Sequence, residues 1–247
     1  MAEAGGGGAG RPPKRIAAVQ SSYIPWKGYF DMIRRVDEFV LLDDVQFTRR
    51  DWRNRNRIKT AQGLAWLTIP VETKGRYRQT IAETRVGDAG WRTRHWKTLR
   101  HAYGRAPYFE RYGPHIEALY GEADDERLSA VNHRFLTAIC ALLDIDTRLT
   151  WSMDYESTGS SSERLVSLCR SAGADEYLSG PSARAYLDES LFREAGIDVV
   201  WMEYEGYPVY DQLHPPFEHA VSVLDLIFHT GPEAIAHMLP LAPGVRS

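Results

Sequence analysis

Cysteine is nearly absent: the 247-residue chain holds two, Cys140 and Cys169. A disulfide framework is thereby excluded, and the pair lies in separate apolar, helix-like segments without metal-ligand spacing. Both read as small core residues. Long hydrophobic runs are missing too. No stretch approaches the ~18 apolar residues of a membrane span, and no secretory apolar region follows the start. The expectation is a protein of the reducing cytoplasm without a membrane span. Nor does one sign of charge dominate. Thirty cationic side chains stand against 33 acidic ones, a formal net of -3, which argues against a dedicated nucleic-acid binder, although local clusters count for more than the sum. Familiar catalytic signatures are also wanting: no GxGxxG, GxxxxGK[ST], HExxH, GxSxG or CxxC. The eight His are scattered without i,i+4 pairs, so no structural or zinc-hydrolase metal site is expected.

What is present suffices for a sizeable core, with 43% hydrophobic and 11% aromatic residues. Residues 1–13, rich in Gly and Pro, read as a flexible tail. Residues 14–247 read as one α/β domain with a helical insertion over roughly 91–143. The rest of the chain is organised around the stretch from Ile16 to Gln46. Ile16–Val19 is a buried-strand run, Pro25 and Gly28 punctuate the chain, and Tyr29, Ile33 and Val36 fall at helical spacing. Phe39–Leu42 is a second strand. A β-α-β unit this compact is parallel, and its ligands bind where strands end and helices begin. Gln20, Ser21, Tyr23, Asp43, Asp44 and Gln46 all sit at such ends.

Arg49 to Lys59 carries six cations in eleven residues, with Trp52, Asn54 and Asn56 among them. It reads either as a solvated face or as an anion-binding segment near the Asp43–Asp44 strand end. Arg forks suit phosphate or carboxylate, and Asn amides suit a polar ligand. Farther on come a strand over Ala65–Val71, a basic loop at Lys74–Arg78 and a short strand over Thr80–Val86. Helices follow at Trp91–Tyr103, Tyr112–Leu119 and Leu128–Leu143. His95 shares the apolar side of its helix with Leu99, so it is a packing residue or a catalytic base. Asp146–Met153 is a strand. The run Gly159-Ser160-Ser161-Ser162-Glu163-Arg164 is a helix cap with room for phosphate. The rhythm then repeats: helix 162–172, strand 176–180, helix 183–195, strand 198–204, and a final helix at 222–228. Ser179 and Gly180 form a small-residue edge where a ligand can approach closely.

Adjacent Asp43 and Asp44 suit Mg²⁺ against a phosphate, or orientation of an amine, although neighbours in a strand face opposite sides. The Pro25–Ile33 turn resembles the nucleotidylyltransferase signature, with Lys27 and Tyr29 near the places of its paired His. That likeness supports a Rossmann-like (nucleotidylyltransferase/HUP-like), mostly parallel sheet with flanking helices more than it supports the reaction.

Taken together, the chain resembles the WbqC-like protein family. The resemblance rests on Gln20 with Tyr23-Ile-Pro25-Trp26-Lys-Gly28-Tyr29-Phe30, on Asp43-Asp44-Val45-Gln46-Phe47, on Asn54-Arg55-Asn56-Arg57-Ile58, and on Tyr177-Leu178-Ser179-Gly180. Ser21 stands where the family pattern has Pro after the Gln, which bears on the turn and on selectivity there. The family implies surface-polysaccharide or natural-product pathways and a glycine-type or other acyl transfer to an amine of a sugar or small metabolite. Such a transfer needs an activated donor, a base and an oxyanion contact. Asp43, Asp44 or His95 are the candidate bases. Gln20, Tyr23, Trp26, Tyr29, Gln46, Asn54, Arg55, Asn56, Arg57, Ser179 and Gly180 are the candidate binding residues. Candidate cofactors are ATP with Mg²⁺ or an aminoacyl-tRNA donor, and candidate partners are an amino-sugar acceptor and tRNA. Two other readings stand beside this one: an ATP-dependent adenylating ligase or nucleotidylyltransferase, and a non-catalytic RNA-binding or scaffold protein.

Overall fold

The short apolar runs become strands because they are bounded by turn residues and can bury both faces. A computed structural model describes residues 12–122 and 126–241; residues 1–11 of the expected tail lie outside the described residues. The strands are β1 (Arg15–Val19), β2 (Glu38–Leu41), β3 (Arg55–Thr60), β4 (Gly63–Thr68), β5 (Arg148–Trp151), β6 (Glu176–Ser179) and β7 (Asp198–Trp201). Five of them make one wholly parallel sheet in the order β5-β2-β1-β6-β7, while β3 and β4 pair antiparallel as a separate hairpin. The chain winds outward from β1 through β2 to β5, then returns to the other side of β1 for β6 and β7. Connections from β1 and β6 therefore part in opposite directions, and a crevice opens at their carboxyl ends.

The helices are α1 (Lys27–Ile33), α2 (Trp91–Tyr103), α3 (Phe109–Glu122), α4 (Leu128–Leu142), α5 (Ser161–Ser171), α6 (Glu189–Glu194) and α7 (Val223–Thr230). They cover both sheet faces, as a parallel sheet requires. On one face Ile16, Ala18, Val40 and Tyr177 pack with Cys169 of α5 and Phe192 of α6. On the other, Ala17, Phe39, Leu41 and Leu178 pack with α1 and with α2–α4 and α7. Alternation along β1 thus feeds two cores. Cys140 and Cys169 are free and buried, and burial pushes each thiol up to about 12. No helix among the described residues is long and apolar enough to cross a membrane.

Two expected elements differ. Thr80–Val86 is not a strand but a set of turns with isolated bridges from Gln46 to Thr80, Val71 to Val86 and Arg85 to Arg127. Local side chains take the bonds a ladder would use: Glu83 accepts from the Thr80 amide at 2.8 Å, and Thr84 donates to the Thr80 carbonyl at 2.7 Å. The expected helix over 183–195 splits into a 3₁₀ turn, Pro181–Ala185, and α6. Asp188 restarts the chain as an N-cap, accepting from the Ser190 amide at 3.0 Å.

Candidate functional site

Two chambers lie side by side at the carboxyl end of β1. The larger, about 670 Å³, sits at the β1–β6 divergence and is lined by Gln20, Ser179, Gly180, Arg164, Tyr186 and Tyr204 among others. The smaller, about 290 Å³, is lined by Ser22, Pro25, Trp52, Arg53, Asn56 and Ala220. Val19, Trp26 and Tyr29 line both.

The Pro25–Tyr29 turn builds that shared wall. The Trp26 indole lies over Gly28, where a Cβ would come within 2.3 Å of the ring. It packs against Tyr204 and Tyr207 at centroid distances of 5.2 and 5.7 Å. The Tyr29 hydroxyl donates to the Gln20 carbonyl at 3.0 Å and ties α1 to the end of β1. Lys27 turns away. It is 2% exposed, and its Nζ donates to the carbonyls of Pro208 and His237 at 3.0 and 3.2 Å. Burial pulls its ammonium down to about 8. Of the two residues compared with paired His, only Tyr29 therefore faces the cleft.

The two aspartates separate. Asp43 is fully buried. It accepts from the Ser21 amide at 2.9 Å and from the Ser129 hydroxyl, and burial raises its carboxyl above the usual range. Asp44 accepts from Ser152 Oγ at 2.6 Å and is paired with Arg164, itself a wall of the larger chamber. Each carboxylate is committed to its own partners, so the pair does not make a shared cation site.

His95 lies in the core of α2. Its Nε2 donates to the Thr68 carbonyl at 3.2 Å, so Nδ1 accepts from the Tyr23 hydroxyl at 2.9 Å, and Tyr23 in turn meets Tyr120 at 2.5 Å. Burial pulls the imidazole down to about 4. His95 and Tyr23 line neither chamber. Asn54 donates to the Ile69 carbonyl at 2.8 Å, and Asn56 to the carbonyls of Tyr23 and Ile24 at 3.2 and 3.0 Å. These amides hold the backbone, and only Asn56 also borders a chamber. Gln46 lies outside the cleft, donating to the Tyr77 carbonyl at 2.7 Å. Arg55 and Arg57 project on the β3–β4 hairpin beside Trp66, 4.2 and 5.9 Å from its ring centroid. The structure thus brings together Gln20, Trp26, Tyr29, Asn56, Ser179 and Gly180, with Asp44 joined through Arg164.

Arg53, Arg164 and Ser152 are positioned by the fold but were absent from the sequence-derived set. Arg53 donates to the Gln20 and Ser21 carbonyls at 2.9 and 3.3 Å, capping the end of β1 from the smaller chamber. Its place in the basic run was visible; its inward turn was not. Arg164 follows the Ser160–Ser162 run by a few residues, and that run does open α5 against the larger chamber, through Ser161 and Ser162.

The WbqC-like protein family model matches residues 20–237. The chain is 52% identical over 221 residues to the uncharacterized protein Rv1507c of Mycobacterium tuberculosis, a match that covers 90% of this chain and 96% of the relative. No solved structure matches. The family match spans every β-strand but β1, which ends at Val19 just before it, together with most of the residues that line both chambers, and on that ground the chain belongs to the WbqC-like protein family.

Proposed function

We propose that the protein is a transferase that moves an activated acyl group, of amino-acid type, onto the amine of a sugar or small metabolite. The observation that carries this reading is the pair of adjoining chambers sharing Val19, Trp26 and Tyr29. A transfer without a covalent enzyme intermediate needs donor and acceptor bound together, their reacting atoms in contact. Two chambers meeting at one wall suit that demand. In the step, the amine lone pair attacks the acyl carbonyl carbon and forms a tetrahedral oxyanion. The carbon–leaving-group bond then breaks, the leaving group departs with its electron pair, and the nitrogen loses a proton to give an amide. Arg164, a wall of the larger chamber, offers the positive charge for the anion that forms; Asp44, held by Ser152, positions that guanidinium, and the proton leaves with the departing group.

A second reading is an ATP-dependent ligase. It is favoured by the site of the larger chamber, at the divergence of β1 and β6, with Ser161, Ser162, Ser182 and Arg164 in its wall. The test is mass spectrometry of amino-sugar acceptors incubated with the protein and, separately, an aminoacyl ester, an acyl thioester, or free amino acid with ATP. An acyl adduct on the amine, lost in Arg164→Ala, supports the transferase. Pyrophosphate formed from ATP supports the ligase, and no adduct with any donor defeats the leading reading.

A further inference from the structure

The hairpin of β3 and β4 places a charged aromatic surface beside the smaller chamber. Arg57 pairs with Trp66 across the strands, Arg55 with Thr68 and Lys59 with Leu64. Directly paired residues share a face, so Arg55, Arg57 and Trp66 lie on the same side, while Lys59, farther along it, is buried. Trp66 and Trp52 are 47% and 41% exposed, with ring centroids 5.5 Å apart. The Arg55 guanidinium sits 4.2 Å from the Trp66 centroid, and that of Arg57 lies beside both indoles, 5.8 and 5.9 Å from the centroids of Trp52 and Trp66. No core demand explains two large aromatics left open to water. Trp52 is also a wall of the smaller chamber, and Arg57 donates to the carbonyl of Ala220, another of its walls, at 3.0 Å. The surface therefore runs without a break into the cleft.

We infer that this hairpin face docks a single strand of RNA, whose end enters the smaller chamber. Aromatic rings interleaved with Arg forks provide what such a strand needs: π faces for unpaired bases and cations for the phosphates between them. The charge balance fits a polyanion, since Arg49, Arg50, Arg55 and Arg57 outnumber Asp51 over that stretch even with Arg53 turned inward and Lys59 buried. A base-paired helix keeps its bases stacked inside and offers no face to Trp66. The choice of RNA rests on the transferase reading, because the ribose at an RNA end can carry an acyl ester to the cleft; the stacking surface does not depend on that reading.

The experiment is fluorescence anisotropy of a labelled oligoribonucleotide of about ten nucleotides with the full-length protein, at several salt concentrations. The same sequence as a duplex and as DNA, and an uncharged oligosaccharide, are run in parallel. The single strand is expected to bind best. Trp66→Ala should weaken it about tenfold, and Arg57→Gln should flatten the dependence of log affinity on log salt by about 0.7. Circular dichroism checks the fold of both, and Arg55→Gln is a further surface variant should Trp66→Ala misfold. Equal affinity for duplex and single strand, wild-type affinity in Trp66→Ala, or Trp66-dependent binding of the oligosaccharide instead would overturn the inference. DNA bound as tightly as RNA would overturn the assignment to RNA. Binding needs no turnover, so RNA bound without any acyl transfer would defeat the transferase reading and leave this surface standing.

Discussion

At the scale of single residues, burial sorts the ionisable groups into scaffold and site. His95 is 6% exposed and its imidazole is held down to about 4. Between about 4 and the ordinary His value near 6.5, the unfolded chain holds a proton there that the folded chain does not. Stability therefore rises with pH across that window and is lost as pH falls through it. Urea titrations at pH 4.5 and 7 should show a smaller difference in His95→Gln than in the wild type; an unchanged difference would mean the imidazole titrates freely. Asp43 belongs with it. Asp43→Leu leaves the Ser21 amide and the Ser129 hydroxyl without their acceptor, and denaturant unfolding should report a loss of about 1–3 kcal/mol. Asp44 behaves otherwise. Its pair with Arg164 is roughly a quarter exposed on both sides, so breaking it should cost about 0–1 kcal/mol. Asp44→Asn is accordingly expected to melt close to the wild type while the proposed acyl transfer falls at least tenfold. A large drop in melting temperature would return Asp44 to the scaffold with Asp43.

At the scale of elements, the first turn of α1 shapes the cleft more than any other segment. Gly28 is there because Trp26 lies where its Cβ would stand. Gly28→Ala has to push the indole out of the wall shared by the chambers, an overpacking cost of about 1–3 kcal/mol. Intrinsic tryptophan emission should shift as Trp26 moves, and an unshifted spectrum would show that the turn yields instead. Much of this element was legible in the chain: Pro25 and Gly28 marked the turn, and the runs 16–19 and 39–42 marked the flanking strands. β3 was not. Its alternation of Arg55, Arg57 and Lys59 with Asn56 and Ile58 hides a strand, because its inward residues include an amide that bonds backbone rather than an apolar side chain. Likewise, sequence placed Asp43 and Asp44 at a strand end but could not tell them apart. Their difference comes from Ser129 of α4 and Arg164 of α5, more than eighty residues away in the chain.

At the scale of the whole molecule, the parallel sheet and the helices over it open the larger chamber at the carboxyl ends of β1 and β6. Both buried thiols lie within the packed cores and line neither chamber. A cysteine acyl-enzyme is thus without a nucleophile at the cleft, and the proposed transfer is expected to run with donor and acceptor bound at once. This can be measured before any product is known. A ligand at ~100 times its dissociation constant stabilises the fold by about 2.7 kcal/mol. If donor and acceptor occupy separate chambers, both together should give about 5.4 kcal/mol; if they compete for one site, the total stays near 3.1 kcal/mol. The two sums differ enough to separate by thermal unfolding with a donor analogue and an amine together. Initial rates against both substrates should then give intersecting double-reciprocal lines. Parallel lines would require an acyl-enzyme, and the serines lining the larger chamber, not the wall between the chambers, would become the place to look for it.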